Sequence, residues 1–230
     1  MHLHIQNLSK SYGKQNVLKD ASFSFEQGKI YSILGRNGAG KTTLFNCING
    51  DLKYESGRIL YSDGTTERPL TFSDVGMVST SPVLPEYLTG YEFIHFFIKL
   101  HGRVERSAEE WLDLVRIEPK DYFRLIKSYS FGMKNKLQLL CCLIRNPKII
   151  LLDEPLSSFD IIVSHDIKEL MIAMKSDHII LMSTHILQLA KDVSDDIVLL
   201  HQGRLSAMDP EDLSDDKFEA SIIAALKEGA

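Results

Sequence analysis

One segment of the sequence has the residue types and spacing of a phosphate-binding loop: Gly35-Arg36-Asn37-Gly38-Ala39-Gly40-Lys41-Thr42. Apolar residues precede it at 30–34 and follow it at 44–48, which predicts a turn between a buried strand and a helix. Glycines allow successive backbone N–H groups to surround an anion, and the amino end of a helix favours negative charge. Lys41 would contact the β- and γ-phosphates, and Thr42 would offer a hydroxyl to Mg²⁺. The alternative is a glycine-rich turn that only connects a strand to a helix, which the complete match disfavours.

Two adjacent acids, Asp153 and Glu154, end a second apolar run. A carboxylate at the end of a buried strand would help to hold Mg²⁺, and Glu154 could orient a water molecule and accept its proton. The two acids could instead only cap the next loop. With the phosphate loop upstream, the pair predicts nucleotide hydrolysis as well as nucleotide binding.

The elements that must position these residues alternate between strands and helices. Continuous aliphatic runs at 148–154 and 178–183 are typical of parallel strands that are covered on both faces. Short alternating segments predict antiparallel hairpins. The remaining predicted elements are two strands within 3–25 around a turn at 13–16, a helix to about 48, a hairpin at 56–64, a strand at 75–78, helices at 161–174 and 186–192, a hairpin at 196–207 and a helical tail within 209–230.

Between Pro82 and about Pro147 the apolar residues follow a helical period. Aromatic residues at helical spacing without clustered Lys and Arg indicate core packing, not a surface that stacks on nucleic-acid bases. The sequence therefore predicts a helical insertion. Its expected core residues are Phe93, Phe96, Phe97 and Leu100 on one helix, and Trp111, Leu112 and Val115, with Leu114 as a further candidate, on the next.

Composition narrows the class of protein. A formal net charge of −5 disfavours sequence-independent binding to nucleic acid. No apolar run approaches the roughly 20 residues that cross a bilayer, and no secretory signal is visible. Cys47 and the adjacent pair Cys141 and Cys142 suit neither a disulfide framework nor a metal site, so we expect reduced cytosolic thiols.

Further motifs give a family resemblance. GRNGAGKTT, Tyr129-Ser130-Phe131-Gly132-Met133, KIILLDEP and Ser183-Thr184-His185 occur in this order. Over nearly its whole length the chain resembles the nucleotide-binding subunit of ATP-binding cassette (ABC) transporters. The expected fold is α/β: a P-loop NTPase core with a mixed sheet, an antiparallel β edge subdomain and an inserted helical subdomain. We expect a single domain over 1–230, with the core at about 1–81 and 147–230 and the helical subdomain at about 82–146.

The segment at Ser130 is the most specific part of the resemblance, because other P-loop ATPases lack it. From the sequence alone, Ser130 could cap the helix that follows and form a second anion site, or it could be a cap and nothing more. In the family, this site closes over the γ-phosphate of the ATP bound by the opposite subunit. Two cassettes then enclose two ATP molecules, and one chain alone is an incomplete catalyst.

The resemblance also implies roles for individual residues, with ATP and Mg²⁺ as cofactors. Tyr12 would stack on adenine, His185 would contact the γ-phosphate, and Asp160 would couple the two sites of a dimer. The implied catalytic residues are Lys41, Glu154 and His185, and the implied metal ligands are Thr42, Asp153 and Thr80. The implied ATP-binding residues are Tyr12, Gly35, Arg36, Asn37, Gly38, Ala39, Gly40, Lys41, Thr42, Thr43, Ser130 and Gly132.

Two positions depart from the family pattern. Thr80 stands where the family usually has a glutamine that binds Mg²⁺, and Phe131 replaces the first glycine of the segment at Ser130. A threonine is too short to span the same gap unless a water molecule bridges it. The sequence therefore predicts that Thr80→Gln raises Mg²⁺-dependent turnover.

The resemblance implies a peripheral ATPase on the inner face of the cell membrane. It would work as a homodimer or a heterodimer and drive export by a separate membrane-embedded permease, which the helical insertion would contact, mainly through 79–97. Two alternatives stay open. One is a regulatory cassette that binds ATP and hydrolyses it slowly; the other is a soluble cassette ATPase unrelated to transport. No nucleic-acid partner is expected.

Overall fold

The computed structural model describes residues 1–102, 105–155 and 161–208, and for 161–167 it describes the backbone alone. Asp160 and the predicted helical tail lie outside the described residues. The strands in the described ranges are β1 (His2–Tyr12), β2 (Gln15–Glu26), β3 (Ile30–Leu34), β4 (Ser56–Ser62), β5 (Glu67–Pro69), β6 (Val75–Val78), β7 (Ile149–Asp153), β8 (Ile179–Thr184), β9 (Asp196–His201) and β10 (Arg204–Ala207). The helices there are α1 (Lys41–Asn49), α2 (Gly90–His101), α3 (Ala108–Leu114), α4 (Phe131–Arg145), α5 (Ile161–Met174) and α6 (Leu187–Val193), with 3₁₀ turns at Pro119–Asp121 and Ile126–Ser128.

An antiparallel sheet forms one edge of the molecule, with strand order β2-β1-β4-β5. Strands β1 and β2 are joined by a tight turn at Gly13 and Lys14, where Tyr12 pairs with Gln15. Strand β1 also pairs with β4, and β5 completes the sheet. The predicted antiparallel β edge is therefore confirmed.

The central sheet has the order β10-β9-β3-β8-β7-β6. Strand β3 runs parallel to β8 and β9, and β7 runs parallel to β6 and β8, whereas β10 is antiparallel to β9. Every residue of β3, β7 and β8 is buried, as expected for strands covered on both faces. The mixed sheet confirms the predicted fold class, and it brings the carboxyl ends of β3, β7 and β8 to one edge.

Apolar side chains pack on both faces of the central sheet. On one face, Leu44 and Phe45 of α1 pack between the two sheets, against Ile33 and Leu151. On the other face, residues of α4 and α5, such as Leu139 and Met171, cover Ile150 and Ile180. Helix α1 is thereby held directly behind the phosphate loop.

The helical insertion has its own core, built from α2, α3 and α4. Ile94 and Ile98 are buried there beside Leu112 and Leu137. Helices α2 and α3 each begin with a capping box, Thr89 with Glu92 and Ser107 with Glu110, which fixes where the helices start. None of the helices in the described part of the chain is long and apolar enough to cross a lipid bilayer.

Part of the predicted helical core is wrong. Phe96 is 58% exposed and Leu100 is 63% exposed, and Leu114 is also exposed. Helix α2 instead buries Ile94 and Ile98, with Phe93 and Phe97 partly buried beside them. The buried stripe therefore follows adjacent i, i+4 pairs, and Phe96 and Leu100 lie beyond its edge. The division into subdomains at 82 and 147 stays a prediction.

Candidate active site

The predicted phosphate loop connects β3 directly to α1, as the sequence indicates. Gly40 precedes the helix with a backbone φ of +105°, and a Cβ atom there would lie 2.6 Å from Cγ1 of Val17. At Gly35, a Cβ atom would lie 2.8 Å from the carbonyl oxygen of Leu200. Both positions therefore require glycine, and the loop is wedged between β2 and β9. Arg36, Asn37 and Gly38 are exposed at its tip, and Thr42 and Thr43 lie in the first turn of α1.

Lys41 points back into the loop. Its buried ammonium group donates hydrogen bonds to the carbonyl oxygens of Gly35, at 2.8 Å, and Arg36, at 3.2 Å. It also lies 3.3 Å from Oε1 of Glu154. These partners satisfy the charge of Lys41 and hold the cation at the mouth of the loop, where a phosphate would need it.

Asp153 ends β7 with only 3% of its surface exposed, and it accepts three hydroxyl hydrogen bonds. Thr42 Oγ1 donates to Oδ2 at 2.9 Å, and Thr80 Oγ1 donates to the same oxygen at 3.1 Å. Ser183 Oγ donates to Oδ1 at 2.6 Å. The short side chain of Thr80 therefore reaches Asp153 directly, without a bridging water.

This arrangement suits a hard divalent cation. Among the described residues, no group of three or more His, Cys, Asp or Glu side chains could hold a metal ion. Mg²⁺ does not need such a cage, because it keeps several waters and takes one or two protein oxygens together with phosphate oxygens. The carboxylate of Asp153 and the hydroxyls of Thr42 and Thr80 provide oxygens of that kind.

Glu154 has an unusual backbone conformation for a non-glycine residue, with φ of +51°. Its N–H group donates to Ser183 Oγ at 2.9 Å, which fixes the turn after β7. Nδ1 of His185 lies 3.1 Å from each carboxylate oxygen of Glu154. A carboxylate held between Lys41 and His185 is placed to orient water and accept a proton. The fold thus brings together the three predicted catalytic residues.

Tyr12 lies at the end of β1, and its ring is exposed. The Lys10 ammonium nitrogen lies 5.4 Å from the ring centroid. The neighbouring strand β2 carries Val17, which contacts Gly40 in the phosphate loop. Tyr12 is therefore an accessible aromatic surface on the sheet that borders the loop.

Ser130 is the N-cap of α4, as the sequence predicts, and its Oγ accepts a hydrogen bond from the N–H of Met133 at 3.2 Å. The next residue, Phe131, is exposed. Within the described ranges, no hydrogen bond or ion pair joins Ser130 or Gly132 to the phosphate loop. In one chain, the start of α4 therefore makes no polar contact with the phosphate loop within the described ranges.

Sequence reasoning did not assign a role to Ser183, which donates to Asp153 and accepts from Glu154. The signal was available, because Ser183 lies near the carboxyl end of a buried strand, two residues before His185. Parallel strands β7 and β8 place such residues side by side, and Asp153 pairs with Ser183 in the sheet register.

A parallel strand, a glycine loop, a helix and an acid at the end of a second parallel strand, one strand removed in the sheet, define a P-loop nucleotide-binding protein. Comparison with known proteins narrows this class. The model of the family described as "ABC transporter" matches residues 18–157. The chain therefore belongs to the ABC transporter family, as the motifs predicted, and is an ATP-binding ATPase subunit of that family.

Characterised relatives and solved structures agree with this assignment. The chain is 31% identical over 204 residues to the lantibiotic transport ATP-binding protein SrtF of Streptococcus pyogenes, covering 88% of each protein. It is 31% identical over 209 residues to the bacitracin transport ATP-binding protein BcrA of Enterococcus faecalis, covering 88% of this chain and 67% of that protein. A solved ATP-binding subunit of an ABC transporter superposes with a TM-score of 0.81 at 27% identity, covering 97% of this chain and 100% of that one.

Proposed function

We propose that this chain hydrolyses ATP with Mg²⁺ at the phosphate loop, and that two such cassettes together drive export through a separate membrane-embedded permease. One observation carries the proposal: Lys41 and His185 both contact Glu154, next to Asp153, whose carboxylate accepts hydrogen bonds from hydroxyl groups. These groups provide a cation for phosphate, a base for water and oxygens for a metal.

Each group has a distinct task in this proposal. The backbone N–H groups of the loop bind the phosphates, and Lys41 exchanges its contacts with Gly35 and Arg36 for phosphate oxygens. Thr42, Asp153 and Thr80 would hold Mg²⁺, which supplies positive charge against the phosphate oxygens. Glu154 orients the attacking water and takes its proton, while His185 holds the carboxylate of Glu154 and faces the γ-phosphate.

A second cassette would complete the site. Ser130 is exposed and caps α4, and Gly132 lies in the first turn, so the N–H groups at this end of the helix offer a suitable surface for the γ-phosphate of ATP on a partner cassette. Tyr12 would stack on the adenine of the chain's own nucleotide. Asp160 would couple the two sites. The partner cassette is either a second copy or a related chain.

The proposed permease contact lies on the helical insertion and the segment before it. Val83 is 92% exposed and Tyr87 is 82% exposed, and Phe96 and Leu100 of α2 are exposed as well. Large apolar side chains in water favour a protein partner. The names of SrtF and BcrA, which state lantibiotic and bacitracin transport, support export of peptide antibiotics or similar amphipathic molecules as the task. The chain would then work as a peripheral protein on the inner face of the cell membrane.

Steady-state hydrolysis by the purified chain tests the catalytic part. We expect Mg²⁺-dependent phosphate release in the wild type and a loss of about a hundredfold or more in Glu154→Gln, because the general base is removed. The matched control is Glu169→Gln on the exposed face of α5, which should leave turnover unchanged. Equal turnover in the wild type and Glu154→Gln would contradict the proposal and favour a regulatory cassette.

Co-sedimentation with membranes that contain the co-expressed permease tests the partner. Replacing Tyr87 and Phe96 together by serine should reduce the bound fraction severalfold, because both side chains leave water on docking. Hydrolysis by the isolated variant should stay at the wild-type rate. Unchanged binding would place the permease contact elsewhere on the molecule.

A further inference from the structure

Helix α4 contacts the metal side of the site through Gln138, a residue to which none of the roles above is assigned. Gln138 Nε2 donates a hydrogen bond to Oγ of Ser79 at 3.0 Å, and Ser79 Oγ donates to the carbonyl oxygen of Ser81 at 3.0 Å. The residue between them, Thr80, donates to Oδ2 of Asp153 at 3.1 Å. A continuous path of polar contacts and one peptide unit therefore runs from Gln138 to Asp153.

The carbonyl end of the Gln138 side chain destabilises the fold. Oε1 of Gln138 is buried, and it has no hydrogen-bond partner within the part of the chain that the structure describes. A buried acceptor without a donor costs free energy, which an apolar side chain of similar size would avoid. Folding alone therefore favours a residue such as leucine at this position.

The segment that Gln138 holds contacts α4 at its start, where Val78 packs with Leu139 in one core cluster. A cavity with room for about one water molecule lies beside this contact, and its lining includes Thr80, Phe131 and Asn135 together with both carboxylates, Asp153 and Glu154. Among the described residues, the bond from Gln138 to Ser79 is the only hydrogen bond between 78–81 and α4. The bond thus adds a polar contact next to Thr80, whose other constraints are its own bond to Asp153 and the pairing of β6 with β7.

We propose that Gln138 is a positioning residue for the metal site. Its amide holds Ser79, and so keeps the Thr80 hydroxyl against the Asp153 carboxylate. Because Ser130 caps the same helix about 12 Å away along its axis, closure of a partner cassette over Ser130 would be transmitted to Thr80 through a rigid element. The inference rests on the proposed function, since it assigns Gln138 to the same Mg²⁺ site.

Nucleotide affinity with and without metal tests this role without relying on turnover. The measurement is the affinity for a fluorescent ATP analogue, once with Mg²⁺ and once with EDTA. In Gln138→Leu, we expect the gain in affinity from Mg²⁺ to fall about fivefold, the equivalent of one hydrogen bond, while the affinity in EDTA changes less than twofold. The melting temperature should not fall, because the buried acceptor is removed as well.

Matched variants separate positioning from packing. Ser79→Ala should reproduce the loss, Ser79→Thr should retain the wild-type Mg²⁺ gain, and the exposed control Gln6→Leu should have no effect. The double variant Gln138→Leu/Ser79→Ala should be no worse than either single variant, because both remove one bond.

Two results would overturn the inference while the proposed function stands: a wild-type Mg²⁺ gain in Gln138→Leu, or losses that multiply in the double variant. A wild-type chain that binds ATP no better with Mg²⁺ than with EDTA would instead overturn the proposed metal site, and this inference with it.

Discussion

The ammonium nitrogen of Lys41 lies 3.3 Å from Oε1 of Glu154, so the proposed phosphate ligand and the proposed general base form one ion pair. Both side chains are largely withdrawn from solvent. The ion pair is one of several contacts of each group, because Glu154 also lies 3.1 Å from Nδ1 of His185 and the Lys41 ammonium donates to two carbonyl oxygens. Removing one of them alone takes a buried partner of opposite charge from the other.

Lys41→Met should abolish ATP binding at micromolar nucleotide and lower the free energy of unfolding by about 3 kcal/mol, because Glu154 loses the buried ammonium group that lies 3.3 Å from its carboxylate. Adding Glu154→Gln should restore part of that stability without restoring binding. Urea denaturation of the single and double variants measures the effect. A double variant no more stable than Lys41→Met would show that the pair is not coupled.

Thr80→Val removes one hydroxyl from Asp153 and keeps the shape of the side chain. We expect three- to tenfold more Mg²⁺ to be needed for half-maximal hydrolysis, roughly the value of one hydrogen bond. Titration of hydrolysis with Mg²⁺ at saturating ATP measures this. A titration that matches the wild type would remove Thr80 from the metal site. The sequence-based expectation that Thr80→Gln raises turnover stays a prediction.

Asp74 secures the connection into β6. Two hydrogen bonds from the Arg68 guanidinium, at 2.7 and 2.8 Å, joined by two from Thr71, hold the pKa of this buried carboxyl well below its ordinary value. A carboxyl whose pKa is lower in the folded state stabilises the fold at pH values above its unfolded-state pKa of about 4. This contribution is lost as the pH falls below that value towards the folded-state pKa.

Asp74→Asn should therefore cost about 2 kcal/mol at pH 7, and the difference from the wild type should shrink as the pH is lowered below 4. Denaturant melts over a pH series check the trend, with the exposed Asp177→Asn as the control. A difference that stays constant down to pH 2 would mean that the Asp74 charge is not the source of the stability.

Gly90, at the start of α2, lies against the buried ring of Tyr129, whose hydroxyl donates to the carbonyl oxygen of Asp121 at 2.7 Å. A Cβ atom at Gly90 would overlap that hydroxyl. Gly90→Ala should lower the free energy of unfolding by about 2 kcal/mol through overpacking. Tyr129→Phe should relieve part of this loss in the double variant, and thermal melts of the three variants decide it. If the stability losses of Gly90→Ala and Tyr129→Phe simply add in the double variant, the proposed steric overlap is contradicted.

The phosphate loop and the strands around it could be predicted from sequence because their signals are local. A complete loop motif, an aliphatic run or a turn residue each predicts the structure of the residues next to it. The observed bounds of α1, β7 and β8 agree closely with those predictions. Asp153 and Glu154 were found for the same reason, since they end one of those runs.

The contacts between distant segments could not be predicted in this way. Nothing local to Gln138 indicates that its amide meets Ser79, because that contact depends on how α4 packs on β6. The predicted burial of Phe96 and Leu100 on α2 was wrong for a related reason. Hydrophobic spacing identifies the apolar face of a helix, but the neighbouring helices decide how much of that face is covered. Exposed apolar residues on a helix therefore indicate a surface that one chain does not cover.

The three hydroxyls around Asp153 come from α1, from the segment after β6 and from the end of β8. A hydroxyl group can exchange donating for accepting by turning about a single bond, whereas an arginine or lysine in its place would have to move away. None of these three side chains around Asp153 would thus have to leave when the proposed cation binds. We infer that the proposed Mg²⁺ would enter and leave with only small rotations of these three side chains.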